Sequence, residues 1–265
     1  MKIGYIRGLE EDGAKFWLSR VGWEPSEAAE RIAQEKDPEE AGYVADIGGG
    51  HGRDALWLAE RHFRSILIEP NKYSLRLARE RAKNKRLNVG LINATLPHLP
   101  LCSETMDVAD LYWTLHQIPD EYKPESLKEI HRVLKPNGTL YSASFGYWEG
   151  QETPKNIHPI VGKQAFLDLH VSAGFKPRCE IKKRSDRTRS FEKFWYGIFQ
   201  KICLEKDLLF ADDSSGRPIT LKYNNSYNHY RKIFFLRLNL PNKSFKANTG
   251  DRDDLHQRRK PYAIS

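Results

Sequence analysis

The sequence predicts an open α/β fold, in which a doubly wound, mostly parallel, seven-stranded sheet has helices on both faces. Short apolar runs alternate with segments of helical spacing, which favours right-handed crossovers between parallel strands. Glycines follow the first apolar run directly, as at a turn between a strand and a helix. The 265 residues, 39% of them hydrophobic, suffice for one main domain. We also expect a helical lid at the N-terminus and a basic extension at the C-terminus.

The first half of the chain supplies helices and strands in alternation. Ser26 is a predicted helix N-cap after Pro25, because a serine hydroxyl can accept a backbone N–H bond at a helix start. The predicted elements are a helix over 26–36, a strand over 43–47, a helix over 54–62, a strand over 65–69 and a helix over 72–85.

The second half continues the pattern into a region that periodicity leaves open. Pro136 and Gly138 end the helix before the fifth strand, because these residues stop helices. Residues 191–201 fit either a hairpin partner of the last strand or a helix, and residues 231–238 fit a strand or a short helix. The other predicted elements are strands over 91–92, 106–111, 139–145 and 175–183, and helices over 124–134 and 162–173.

The composition excludes several classes of protein. No apolar run approaches the roughly 20 residues of a membrane span, and residues 1–7 lack the apolar stretch of a secretory signal. Cys102, Cys179 and Cys203, without C-x-x-C spacing, support neither a disulfide framework nor a cysteine zinc site. We therefore expect a cytoplasmic protein without a bound metal.

Positive charge is concentrated in the last third of the chain. The net charge is −4 over residues 1–42, +1 over residues 43–175 and +11 over residues 176–265. Such a basic block is either a contact surface for RNA, DNA or another anionic surface, or a solvated tail that keeps the protein soluble. We expect three parts: a lid over residues 1–40, a ligand-binding domain over residues 41–205 and a basic extension over residues 206–265.

The strongest chemical signal is the segment Asp46-Ile47-Gly48-Gly49-Gly50-His51-Gly52-Arg53-Asp54, which follows the first predicted strand. In an open α/β sheet, ligands bind at the carboxyl ends of strands, and glycines there let a ligand lie against bare backbone. The spacing D-x-G-x-G-x-G differs from the G-x-G-x-x-G of dinucleotide-binding proteins, because Arg53 stands where the last glycine would be. Gly52 is not followed by Lys-Ser/Thr, which disfavours a nucleoside triphosphatase.

Glu69 ends the second predicted strand, 17 residues after Gly52. An acid at this place in such a fold can accept hydrogen bonds from two ribose hydroxyls at once. The alternative is an acid that is simply solvated at a strand end. The spacing across one helix and one strand favours a nucleoside-containing ligand.

Further motifs follow the glycine turn in order. They are Ile68–Asn71, Asn93–Pro100, Met106–Leu111 with Leu115–Ile118, Ile130–Leu140 and Phe166–Phe175. With Val44–Gly52, they resemble the class I S-adenosylmethionine-dependent methyltransferases, particularly the subgroup that includes small-molecule and quinone methylases. The resemblance covers about residues 41–180 and implies the Rossmann-like methyltransferase fold.

The resemblance implies that the protein is an enzyme that uses S-adenosylmethionine as its cofactor. Asn93 stands where most relatives have an Asp that contacts the adenine amino group, and Asn also offers an acceptor oxygen. His51 is expected at the methionine part of the cofactor. The residues implied to bind the cofactor are Asp46, Gly48, Gly49, Gly50, His51, Gly52, Glu69, Pro70, Asn93, Ala94 and Tyr112.

Methyl transfer from a sulfonium is an in-line displacement, so the protein mainly supplies proximity and alignment. His116 is the candidate general base because its ordinary pKa lies near neutral pH, and the alternative is a structural histidine. Tyr112 is a second catalytic candidate, and with Trp113 it can wall the methyl site, since aromatic faces attract cations. Phe16-Trp17-Leu18 and Trp23 either fold over the cofactor as a lid or are ordinary core residues.

The sequence constrains the methyl acceptor least. The loop Asp110-Leu111-Tyr112-Trp113 lacks the Asn/Asp-Pro-Pro-Tyr of relatives that methylate adenine or glutamine amides, and no Pro-Cys pair supports cytosine-5 chemistry. The resemblance favours a small-molecule acceptor. One alternative is an RNA or protein methyltransferase that docks through the basic and aromatic side chains of residues 176–265. The other is a noncatalytic scaffold subunit, against which the intact glycine turn and Glu69 argue.

Overall fold

The computed structural model describes residues 11–147, 157–179, 181–186, 189–202, 211–212 and 218–219. The chain divides into two compact units, residues 1–204 and residues 205–265. In the second unit, the described residues are the antiparallel pair β9 (Ala211–Asp212) and β10 (Pro218–Ile219). All elements described below, up to β8, belong to the first unit.

The first unit alternates helices and strands. Its helices are α1 (Glu11–Val21), α2 (Glu27–Glu35), α3 (Arg53–Ala59), α4 (Lys72–Lys85), α5 (Lys123–Val133) and α6 (Lys163–Ser172). Its strands are β1 (Tyr43–Ile47), β2 (Arg64–Ile68), β3 (Gly90–Ile92), β4 (Met106–Tyr112), β5 (Leu134–Tyr147), β6 (Phe175–Pro177), β7 (Lys182–Asp186) and β8 (Arg189–Lys201). Short 3₁₀ turns at Leu115–Gln117 and Asp120–Tyr122 lie between β4 and α5.

The sheet follows the order β3-β2-β1-β4-β5-β8-β6, and β7 also pairs with β8. The five strands from β3 to β5 are parallel to one another, whereas β8 runs antiparallel to β5, β6 and β7. The strand order reverses between β1 and β4, which is where ligands bind in open α/β sheets. The seven strand positions and the mostly parallel arrangement confirm the predicted fold.

Two helix starts show why the sequence folds as it does next to the sheet. The Ser26 hydroxyl accepts the Ala29 backbone N–H at 3.2 Å, which confirms its predicted role as an N-cap. Asn71 caps α4 because its side-chain oxygen accepts the N–H groups of Tyr73 at 2.8 Å and Ser74 at 3.1 Å. This second cap fixes the start of α4 beside the carboxyl end of β2.

The core lies on both faces of the sheet. Alternate residues of β1 face opposite sides, so Val44 packs with the α2 side chains, whereas Ala45 packs with those of α5 and α6. Ile32 of α2 and Phe166 of α6 are fully buried on the two faces. Burial of a large side chain of this kind contributes about 1.5–3 kcal/mol to stability. Burial on both faces explains why the inner strands are apolar rather than alternating.

The edge of the sheet differs from the prediction. The single strand predicted over residues 175–183 is wrong, because two strands, β6 and β7, occupy this edge. Pro177, the last residue of β6, pairs with Phe199 of β8, and Lys182, the first residue of β7, pairs with Tyr196. The chain thus uses five residues between these two pairings, whereas the antiparallel β8 uses three. The two extra residues cannot stay in register, so the chain leaves the ladder. Residues 191–201, which fitted either a strand or a helix, belong to a strand.

The fifth strand also begins earlier than the predicted residue 139. Leu134 pairs with Met106 directly after α5, and the register then shifts so that Thr139 pairs with Val108. Asn137 lies within this shift with φ +63°. Pro136 and Gly138, which were predicted only to end the helix, therefore belong to the irregular first part of β5.

Several predictions fall outside the described residues. These are the element over 231–238, most of the basic extension over residues 206–265 and the side chains of Phe16 and Trp17. The lid role of residues 1–40 and the docking role of residues 176–265 stay predictions. Within the described ranges, no helix combines the length and apolar character needed to cross a membrane.

Candidate active site

A cleft opens at the carboxyl ends of the parallel strands, where the strand order reverses. The space between its walls, together with the open solvent at its mouth, amounts to about 500 Å³. Among the predicted residues, Gly48, Glu69, Pro70 and Ala94 line it. The other lining residues are Ile47, Ile68, Thr95, Leu96, Thr114, Gln117 and Ile118. The walls are therefore mainly apolar, with Glu69 as their one charged side chain.

The glycine turn forms the floor of this region. Gly48 and Gly50 have φ angles of +71° and +60°, which favour glycine. The Gly48 N–H donates to the Ile68 carbonyl at 2.7 Å, and a Cβ at Gly48 would come within 2.5 Å of the Thr114 side chain. A Cβ at Gly50 would meet no described protein atom within 4 Å. The turn is closely packed against β2 and the β4 loop at Gly48, whereas at Gly50 no described atom lies where a side chain would begin.

Asp46 supports the turn from below. Its carboxylate accepts the Ala55 N–H at 3.1 Å, and a Cβ on Gly49 would come within 2.2 Å of it. The side chain is buried, and burial, together with the neighbouring Asp54, raises the pKa of Asp46 well above its ordinary value. Asp46 therefore contacts the turn rather than lining the cleft.

Glu69 connects the turn to the cleft. One carboxylate oxygen accepts the Gly50 N–H at 2.9 Å, and the other accepts the Asn71 N–H at 2.8 Å. Burial raises the pKa of Glu69 to about 7. A carboxylate has about four acceptor positions, and the two backbone bonds use only two of them. The remaining positions suit a ligand with two adjacent hydroxyl groups.

Asn93 follows β3 at the rim of the cleft. Its side-chain amide donates to the Glu69 carbonyl at 2.9 Å and to the Pro70 carbonyl at 2.8 Å. The predicted contact with adenine stays a prediction. The structure shows in addition a backbone contact that the motif did not reveal.

His51 contacts the N-terminal segment. Its Nε2 donates to the Gly22 carbonyl at 2.6 Å, and the ring packs edge-on against Trp23 with centroids 4.6 Å apart. Burial lowers the pKa of His51, so the neutral form is favoured. The Ser26 N–H also donates to Asp54 at 2.7 Å. His51, which precedes α3, and Asp54, in the first turn of α3, therefore hold residues 22–26. A contact of His51 with a cofactor stays a prediction.

Aromatic rings cluster at the end of β4. Tyr112 and Trp113 stack with centroids 5.6 Å apart, and Trp113 also packs against Phe145 at 5.5 Å. Trp113 has φ +60°, an uncommon conformation for a large side chain. The Arg53 guanidinium lies 5.8 Å from the Tyr112 ring and 5.9 Å from the Trp113 ring. Burial raises the pKa of Tyr112 above its ordinary value, so its hydroxyl stays protonated and can donate.

His116 is fully buried behind this loop. Its ring packs edge-on against Phe145, with centroids 4.1 Å apart. Burial, with a smaller effect of the Lys123 cation, lowers the pKa of His116 to about 3. Such a ring is neutral near neutral pH and is a weak proton acceptor. Its predicted catalytic role stays a prediction, and the packing favours the structural alternative.

The structure adds residues that the sequence reasoning missed. Thr114 lines the cleft, and its hydroxyl donates to the Ile47 carbonyl at 2.9 Å, which ties the β4 loop to the end of β1. Gln117 and Ile118 line the cleft from the following turn, and Thr95 and Leu96 line it from the loop after β3. Their positions directly after β4 and β3 were the available signal, since ligands bind at strand ends.

The described residues contain no group of three or more His, Cys, Asp or Glu side chains that could hold a metal ion. The described cleft offers a carboxylate acceptor at Glu69 and mainly apolar walls. Two backbone-anchored acceptor oxygens, bare backbone at Gly50 and an apolar wall match a nucleoside with a flexible polar extension.

Comparisons with known proteins agree with this geometry. Residues 44–138 match the family described as a methyltransferase domain. The chain is 29% identical to methyltransferase GfsG of Streptomyces halstedii, over 47% of each chain. It is 30% identical to the ubiquinone/menaquinone biosynthesis C-methyltransferase UbiE of Haemophilus ducreyi, over 38% of this chain and 40% of the relative. The matches therefore span less than half the length of these two relatives.

Solved structures show the same fold. A SAM-dependent methyltransferase from Methanosarcina mazei has a TM-score of 0.57 at 23% identity, and the match covers 65% of this chain and 97% of that chain. The motif order, the cleft at the strand reversal and the matched family agree on one assignment. Residues 44–138 therefore match the methyltransferase-domain family, and the fold is the one found in S-adenosylmethionine-dependent methyltransferases.

Proposed function

We propose that the protein transfers a methyl group from S-adenosylmethionine to a small-molecule acceptor. The observation that carries this proposal is the Glu69 carboxylate, which the Gly50 and Asn71 N–H groups hold at the cleft with acceptor positions to spare. A ribose with two adjacent hydroxyls matches those positions. Of the described lining residues, Glu69 alone is charged, so it is expected to determine the orientation of the nucleoside.

The residues around Glu69 fit the remaining parts of this cofactor. Ile68, Pro70, Leu96 and Ile118 offer apolar surface for a planar base. Gly50 leaves open space against bare backbone for the polar extension beyond the ribose. When bound, S-adenosylmethionine supplies an electrophilic methyl group. The role of the chain is to hold the donor and to keep water from the reacting carbon.

The described residues near the β4 loop offer little help with proton removal. Tyr112 keeps its proton because its pKa is raised, and His116 is buried with a pKa of about 3. An acceptor that ionises readily, such as an acidic phenol or an acidic carbon, needs no strong base from the protein. The stacked Tyr112 and Trp113 rings lie at the end of β4, and we expect this aromatic cluster to border the place of such a planar acceptor.

Relatives with known names support a small acceptor. One relative is a C-methyltransferase of ubiquinone and menaquinone biosynthesis, and quinone precursors are planar and acidic. This support is by analogy, because the match covers less than half of that relative.

Labelled methyl transfer tests the proposal. The full chain is incubated with methyl-labelled S-adenosylmethionine and with separate pools of small aromatic acceptors, RNA and protein. We expect the label in the small-molecule pool, and the Glu69→Ala variant serves as the inactive control. Label only in RNA or protein would contradict the proposed acceptor class, and cofactor binding without transfer to any pool would favour a scaffold.

A further inference from the structure

Asn93 makes two backbone hydrogen bonds that the family motif does not account for. Its Nδ2 lies 2.9 Å from the Glu69 carbonyl oxygen and 2.8 Å from the Pro70 carbonyl oxygen. Both partners are carbonyls, which only accept, so the NH₂ group must face them. The orientation of the side-chain amide is therefore fixed by its partners, and its oxygen points away from the two carbonyls.

These two bonds tie together the loop that carries the acid of the cofactor site. The Glu69 N–H donates to the Ile92 carbonyl at 3.0 Å, which continues the pairing of β2 with β3 beyond the strand end. Asn93, which directly follows Ile92 in the chain, adds two side-chain hydrogen bonds to the same loop. The backbone on both sides of the Glu69–Pro70 peptide is thus fixed by side-chain and main-chain donors.

The fixed backbone positions the Glu69 carboxylate, which accepts the N–H groups of Gly50 and Asn71. Pro70 lies in the wall of the cleft, so a shift of this loop would move the wall and the acid together. A chain of hydrogen bonds therefore runs from Asn93 through the loop to the glycine turn. Asn93 acts on the site through Glu69 and Pro70, whether or not it also contacts a ligand.

We propose that Asn93 is a positioning residue that holds the Glu69–Pro70 loop in its cofactor-binding conformation. The proposal rests on the proposed function, since it concerns the same cofactor site. It also says that an Asp at this position does not suit this chain. A carboxylate would bring acceptor oxygens within about 3 Å of two carbonyl oxygens, and it has no proton to donate to them.

The test is calorimetric titration of the full chain with S-adenosylhomocysteine at pH 7.5, with wild type and the Asn93→Asp variant side by side. An Asp keeps acceptor oxygens for the adenine amino group, so a residue that only contacts adenine would lose no affinity on this change. The positioning role predicts binding that is at least about tenfold weaker. Equal or tighter binding by the variant would overturn the proposal.

Two further variants separate the loop contact from general effects. Asn93→Ala removes the donors without adding a charge, so we expect a loss of affinity smaller than that of Asn93→Asp. Asn88→Asp makes the same chemical change at an exposed position before β3 and is expected to bind like wild type. Thermal melting without ligand shows whether each variant folds. An Asn93→Ala affinity equal to wild type would overturn the role of the two donors.

The pH dependence gives a readout that a general structural defect would not produce. A protonated carboxyl group can donate one hydrogen bond, and the ordinary pKa of Asp is about 3.9, so the deficit of Asn93→Asp relative to wild type is expected to narrow as the pH falls from about 5.5 to about 4. A deficit that stays constant would contradict repulsion at the carbonyls. If wild type does not bind S-adenosylhomocysteine at all, the proposed function fails, whereas normal wild-type binding with an unaffected Asn93→Asp variant refutes only this inference.

Discussion

The end of β2 and the loop after β4 border the same cleft, but the ionisable side chains that follow these two strands lie in different surroundings. At β2, Glu69 faces the cleft and accepts hydrogen bonds from Gly50 and Asn71, which leaves acceptor positions for a ligand. At β4, His116 is fully buried against Phe145 and its pKa is lowered to about 3. The carboxyl group of Glu69 therefore lines the cleft, whereas the imidazole of His116 lies in the core.

This difference shows that a motif position does not define a role by itself. Both residues were singled out because they follow parallel strands, where ligands bind. Backbone N–H donors hold Glu69 at the cleft surface, whereas the side chain of His116 is buried in the 3₁₀ turn Leu115–Gln117. We therefore expect changes at β2 to affect cofactor affinity and changes at His116 to affect stability.

Replacement of Glu69 should have the largest effect. Glu69→Ala removes the acceptors for a ribose and the anchor of the Gly50 N–H, and charged hydrogen bonds are worth about 1.5–3 kcal/mol each. We expect S-adenosylhomocysteine affinity to fall about a hundredfold or more in calorimetric titration. Glu69→Gln keeps the shape and one acceptor oxygen and should lose less. Wild-type affinity in Glu69→Ala would remove the assigned ribose contact.

Replacement of His116 tests the other end. His116→Ala leaves a cavity in a fully buried site, and we expect the free energy of unfolding to fall by ~2 kcal/mol or more in urea titration. Below the melting range, cofactor affinity should change by no more than about threefold. An unchanged unfolding free energy combined with lost methyl transfer would show instead that His116 is the general base.

The pH dependence of binding sharpens the comparison at Glu69. A ribose donates to the ionised carboxylate, so binding favours the deprotonated form, and the pKa of about 7 in the free protein places the change near neutral pH. Affinity for S-adenosylhomocysteine should be constant well above pH 7 and fall by up to about tenfold per pH unit below it. Glu69→Gln has no such group and should give a flat profile. A flat wild-type profile between pH 6 and 8 would contradict the assigned titration.

Thr114 should give the smallest effect, because its neutral hydroxyl joins the β4 loop to the end of β1 through a 2.9 Å bond to Ile47 and a longer, 3.4 Å bond to Gly48. Thr114→Val removes the bond from its hydroxyl to the Ile47 carbonyl, worth about 1 kcal/mol, and we expect about fivefold weaker cofactor binding. Thr105→Val removes a comparable bond to the Cys102 carbonyl away from the cleft and serves as the control. Equal affinities of the two variants would show that Thr114 does not position the β4 loop.

The sequence allowed the parallel part of the fold to be predicted closely. Strand β1 and helix α4 have the predicted bounds, because buried parallel strands are short apolar runs and α4 is rich in the helix formers Arg, Leu and Ala. The antiparallel edge was not predictable to the same degree. Its break between β6 and β7 depends on the register with β8, which is a property of the pairing and not of either segment alone.

The candidate site was predictable in position but not in detail. Glycine spacing indicated the turn, and the positive φ angles of Gly48 and Gly50 agree with that prediction. The direction of the Asn93 amide depends on two carbonyls that fold next to it, so no motif could reveal it. Burial of His116 likewise depends on Phe145, which is 29 residues away in the chain.

The most direct test of the account is calorimetric titration of the purified full chain with S-adenosylhomocysteine at pH 7.5, after any copurified ligand has been removed. We predict one site per chain with micromolar affinity, lost in Glu69→Ala. A folded wild-type protein that shows no binding would contradict the assignment of the cleft as a cofactor site and, with it, the proposed methyl transfer.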